Sequence, residues 1–175
     1  LGHSFPTRRS SDLEVKDFNA ENYMDRKEAK RMDTFCQFAM VAAAQAIADS
    51  KLDLDKIDQE KFGVVVGSGI GGIKTIEKEC ISMQAKGPNR VHPMFIPMII
   101  GNMAAGNIAI KYGAKGICTS VVTACATGTN AIGEAYHMIK NGLADVMIAG
   151  GTEASITPLA VAGFTSLTAL TKSAE

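Results

Sequence analysis

The sequence predicts an α/β protein with a mainly parallel sheet covered by helices on both faces. Three observations carry that prediction. Short apolar, β-branched runs alternate along the chain with longer segments of helical period. Those runs are continuous, as in strands buried on both faces, and do not alternate with polar residues. Apolar residues make up 46% and charged residues 21% of 175 positions, the balance of a globular chain able to bury a core.

Each element has a local reason. Asp25 followed by Glu28 has capping-box spacing, and Ala29 to Ser50 then reads as one helix, with Met32, Phe35, Phe38, Ala39, Ala42, Ala46 and Ile47 on its apolar face. Phe62 to Val66, closed by Gly67, reads as a strand. The glycine turn 67–72 follows, then a helix from Ile73 to Met83. Gly87, Pro88, Pro93 and Pro97 make residues 86–98 a long loop, after which Met98 to Tyr112 is helical. Ile117 to Ala124 reads as a second buried strand and Ala126 to Lys140 as a helix stopped by Asn141-Gly142. Val146 to Ala149 supplies a third strand.

Composition excludes several classes. Eighteen basic and eighteen acidic residues cancel, which argues against nucleic-acid or membrane-surface binding by bulk charge. The apolar runs fall far below the ~20 residues that span a bilayer. Cys36, Cys80, Cys118 and Cys125 form no C-x-x-C pair and have no histidine at metal-ligand spacing, so no metal is expected, and a reducing cytoplasmic setting is. Cys36, Cys80 and Cys118 read as small buried apolar residues.

Residues 1–13 show neither apolar period nor signal-peptide pattern, and Ser4 to Leu13 resembles the translation of a common sequencing adapter. They are expected to be a non-native or disordered leader, and His3, Arg8 and Arg9 are set aside as site candidates. Residues 14–175 form the expected unit.

Gly67, Gly69 and Gly72 satisfy G-x-G-x-x-G between a strand and a helix. A dinucleotide site also needs a second strand ending in an acidic residue ~20 positions on, and the proline loop stands there instead. The glycines are better read as allowing backbone to approach an apolar tunnel, with Ile70 facing it. Cys125 lies between a strand and a helix, as in a nucleophile elbow. That placement exposes sulfur at the carboxyl end of the sheet, where the positive end of the next helix favours thiolate and the Cys125 amide could serve as an oxyanion donor. A lone cysteine is more often a buried apolar residue, and position alone leaves both readings open. His137, twelve residues further on, is about 18 Å away along the helix and cannot assist the thiol. His92 reads as a solvated loop residue. Lys27, Lys30 and Arg31 share a helix face, with Arg90 in the proline loop. A solvated face and a docking patch for an acidic partner both fit that spacing.

Val122-Thr123-Ala124-Cys125-Ala126-Thr127-Gly128, with Gly67 to Gly72 upstream and Ala149 to Ala154 downstream, resembles the β-ketoacyl-[acyl-carrier-protein] synthases, especially bacterial type II enzymes. The resemblance implies a thiolase-like layered α/β sandwich of which this chain holds part of the N-terminal half, and a homodimer needing no cofactor. It implies that Cys125 takes an acyl chain from acyl-carrier protein as a thioester, and that malonyl-carrier protein loses carbon dioxide to give the attacking carbanion. Ile70, Ala124 and Phe164 would line the acyl pocket, and Phe95 would close its far end from the dimer partner. Lys27, Lys30, Arg31 and Arg90 match the basic positions that receive the carrier protein, while Asn89 departs from a position often basic in the family. The family's two histidines and its second oxyanion donor have no match here, so turnover by this chain alone is not expected. A non-catalytic partial domain and a polyketide ketosynthase are the alternatives.

Overall fold

A computed structural model describes residues 14–170. Residues 1–13, expected to be a leader, and the last five residues of the expected 14–175 unit lie outside the described residues. At the centre is a parallel sheet in the order β2-β1-β3, formed by β1 (Phe62–Gly67), β2 (Cys118–Thr119) and β3 (Val146–Gly151). Val64 lies opposite Cys118 on one side and Ile148 on the other. Every residue of β1 is buried, as its unbroken apolar run predicts.

The pleat of β1 divides its side chains between two layers. Val64 and Val66 join a core with Phe35, Cys36, Ala39 and Met40 of α2 (Thr34–Ser50) and Ala104, Ala105 and Ile108 of α5 (Met103–Tyr112). On the opposite face, α6 (Thr127–Lys140) packs against β1 and β3. Small residues set that distance. A Cβ at Gly67 would overlap the Val121 carbonyl and the Thr127 methyl, and one at Gly151 would lie 2.8 Å from Gly128 Cα. The strand ends therefore meet the start of α6 at backbone distance.

The α/β architecture and the parallel sheet agree with the sequence reading; several element boundaries do not. The expected helix 29–50 is two helices, α1 (Arg26–Ala29) and α2, because Asp33 accepts from Phe35 N–H and caps a new start. Consequently α2 buries Phe35, Cys36, Ala39, Met40 and Ala43, while Ala42 and Ala46 are exposed. The expected second buried strand, 117–124, shrinks to the two residues of β2, and Cys118 is exposed. It is an edge strand paired with β1, and its two residues are exposed and half-buried, so the expected burial on both faces is not found there. Cys80, expected in the core, is exposed on α3 (Ile73–Lys86), leaving Cys36 as the buried thiol among the described residues. The proline loop is shorter than expected, since α3 reaches Lys86 and α4 (Phe95–Ile99) precedes α5. A seventh helix, α7 (Pro158–Ser166), was not anticipated. Its start is nonetheless legible: Thr157 accepts from Ala160 N–H, and Pro158 occupies the first turn.

Candidate active site

The site is built where β1, β3 and the start of α6 converge. Residues 120–123 leave β2, and the chain then turns sharply through a 3-10 turn, Ala124–Ala126, into α6. Ala124 has φ 49°, in the left-handed region that non-glycine residues seldom occupy, and this bend presents Cys125 to solvent. Thr127 braces the bend from inside: its hydroxyl, 4% exposed, accepts from Thr123 N–H at 2.9 Å. The N-cap of α6 is Ala126, which has no side chain to satisfy the first-turn amides. The sulfur thus stands beside an uncapped helix N-terminus.

A cavity of about 460 Å³ opens at Cys125. Ile70 and Phe164 contribute its apolar walls, 41% and 40% exposed, and Ala124 contributes the strained bend. The structure therefore brings Ile70 of the glycine loop, Ala124 and Cys125 of the 3-10 turn and Phe164 of α7 together from three separate elements. Phe95 does not line this cavity; it opens α4 and is half-buried elsewhere on the chain. Sequence reasoning did not single out three further residues of the site, Thr127, Glu153 and Ser155. Glu153 accepts from Ser68 Oγ–H at 3.2 Å and from Ile70 N–H at 3.1 Å. The Ser155 hydroxyl is buried in the wall and has no hydrogen-bond partner among the described residues.

Neither described histidine joins the site. His92 Nδ1 accepts from Met94 N–H, and its own amide donates to the buried Glu79 carboxylate, which ties the loop to α3. His137 is exposed on α6, edge-on to Tyr136. Among the described residues no group of three or more His, Cys, Asp or Glu could hold a metal ion, and no helix is long and apolar enough to cross a membrane.

The basic residues lie elsewhere. Lys27, Lys30 and Arg31 are exposed on α1 and the turn after it, and Arg90 is exposed on the 3-10 turn Pro88–Arg90. Lys30 borders a cleft of about 400 Å³ with Lys74 and Lys78 of α3.

Residues 6–175 match the family model described as β-ketoacyl synthase, N-terminal domain. The chain belongs to the β-ketoacyl synthase family. Among curated members, it is 54% identical over 157 residues to a 3-oxoacyl-[acyl-carrier-protein] synthase 2 of Synechocystis, covering 90% of this chain and 38% of that protein. A protein of the same name from Staphylococcus aureus is 52% identical over 157 residues, covering 90% and 39%. The chain thus spans about two fifths of the length of these relatives. Solved ketosynthases share its fold. A type II polyketide acyl-carrier protein in complex with its ketosynthase matches with TM-score 0.78 and 28% identity, over 87% of this chain and 44% of that one. A β-ketoacyl synthase from Burkholderia phymatum matches with TM-score 0.75 and 29% identity, over 90% and 38%.

Proposed function

We propose that this chain carries the acylation centre of an enzyme that elongates fatty acyl chains on acyl-carrier protein. The observation that carries the reading is the Cys125 elbow opening into an apolar cavity of about 460 Å³. Cys125 thiolate attacks the carbonyl carbon of an acyl thioester, with the Cys125 amide proposed as one donor to the developing oxyanion. The carrier thiol leaves, and the acyl chain stays on Cys125 with its tail against Ile70 and Phe164. Malonyl-carrier protein then loses carbon dioxide, and its carbanion attacks the Cys125 thioester. A new carbon–carbon bond forms, the thiolate departs, and the 3-oxoacyl product remains on the carrier.

Lys27, Lys30, Arg31 and Arg90 are proposed to receive the acidic carrier protein, and Phe95 to close the pocket of a partner subunit in a homodimer. None of the four basic residues forms an ion pair among the described residues, so all are available to a partner. Fatty-acid elongation is favoured over polyketide synthesis by the identity of 54% to a 3-oxoacyl-[acyl-carrier-protein] synthase 2 against 28% to the polyketide ketosynthase.

Intact-mass analysis of the complete gene product with acyl-loaded carrier protein tests the reading. One acyl adduct, mapped to the Cys125 peptide and absent in Cys125→Ala, is expected; an adduct of equal yield in the variant would falsify the nucleophile assignment.

A further inference from the structure

Among the described residues the cavity has one acidic side chain in its wall, Glu153, and its carboxylate oxygens are bonded to the glycine loop. It reaches across 83 residues of sequence to accept Ile70 N–H, and its other oxygen accepts the Ser68 hydroxyl. Ser68 is 2% exposed, and its oxygen in turn accepts from Gly71 N–H at 2.9 Å. The amides on both sides of the Gly71–Ile70 bend are thus held by one carboxylate, directly or through one hydroxyl. Gly69 makes room for it, since a Cβ there would lie 3.0 Å from Glu153 Oε2. Thr152, next to Glu153, is itself anchored: its hydroxyl donates to Phe35 carbonyl at 2.7 Å and its amide to Gly67 carbonyl at 3.0 Å. The clamp is therefore built on the end of β3, not on a free loop.

We propose that Glu153 is a positioning residue that sets how long an acyl chain the Cys125 cavity accepts, by holding the Ile70 side of the wall open. The inference rests on the acyl-transfer reading above. Ile70 is apolar, 41% exposed and borders an apolar cavity, so hydrophobic burial draws it inward. The charge-assisted bond to its amide opposes that movement. In Glu153→Gln the bond to the Ile70 amide loses its charge assistance, and the new amide N–H faces the Ser68 hydroxyl, which must turn from donor to acceptor. Ile70 then settles into the cavity and shortens it.

The test compares Cys125 acylation rates in the complete gene product with butyryl- and myristoyl-loaded carrier protein. In Glu153→Gln the ratio of myristoyl to butyryl rate is expected to fall about tenfold, with the thermal midpoint near that of the parent. Ser68→Ala, which removes one contact and keeps the Ile70 bond, is expected to lower the ratio less. A ratio within about twofold of the parent in both variants, or one that rises, overturns the proposal. Absence of any Cys125 adduct in the parent protein overturns instead the acyl-transfer reading beneath it.

Discussion

Two thiols of this protein stand at the start of a helix and have opposite characters. Cys125 precedes α6, whose N-terminus has no side-chain cap, and is exposed at the mouth of a cavity. Cys36 lies in the first turn of α2, whose N-terminus is capped by Asp33, and is 1% exposed. Burial, and next the Asp33 carboxylate, push the Cys36 thiol up to about 12, against a weaker opposing hydrogen bond from Asn107. The contrast teaches that a helix N-terminus alone does not make a nucleophile. What matters is whether a carboxylate already occupies the helix end and whether water and substrate reach the sulfur.

The largest effect that sharpens this contrast is chemical. Under native conditions iodoacetamide is expected to modify Cys125 and to leave Cys36 untouched, as read by peptide mapping, because reaction requires an accessible thiolate. Alkylation of Cys36 at a comparable rate breaks the comparison. Next is Gly67→Ala, which puts a methyl against the Val121 carbonyl and Thr127 and so attacks the elbow from beneath. A loss of about 3 kcal/mol in unfolding free energy, read by denaturant titration, and a marked fall in Cys125 acylation are expected together.

On the Cys36 side, Asp33→Ala removes the acceptor of the Thr75 hydroxyl at 2.6 Å, the Thr75 amide at 2.8 Å and the Phe35 amide at 3.3 Å. Asp33 is 3% exposed, so these donors are left in the core, at a cost of about 2–4 kcal/mol in urea unfolding. The smallest effect concerns pH. The folded state keeps Cys36 protonated toward about 12, whereas the unfolded chain ionises from its ordinary value of 9.0. The unfolded state therefore releases its proton first. The Cys36 contribution is complete below about 9 and is lost as pH rises from there toward 12, with a slope of up to about 1.4 kcal/mol per pH unit. Urea midpoints across that range should fall more steeply in the parent than in Cys36→Ala, and parallel curves would show that the thiol is not held protonated.

Much of the fold was legible because it is written in local patterns. The unbroken apolar run 62–66 is a strand, and the Asn141-Gly142 signal ends α6 after Lys140. The misread elements are those where a tertiary contact competes with local pattern. Helical period runs through residues 30–33, yet Asp33 breaks it by capping α2 while its other oxygen bonds α3. The run 117–124 has strand composition, but only two of its residues find ladder partners. Cys80 sits on a helix as expected, but on its outer face.

Of the site, the sequence by itself determined Cys125, the strand-to-helix turn that holds it and the glycine loop bearing Ile70. Each depends on residues adjacent in the chain, and backbone sterics are local. Only the tertiary structure decided that Thr127 braces the elbow and that Glu153 clamps a loop 83 residues away. Those relations arise because parallel strands bring their carboxyl ends to one edge of the sheet, whatever their separation along the chain. Hydrogen bonds between side chains there leave no periodic trace in the sequence.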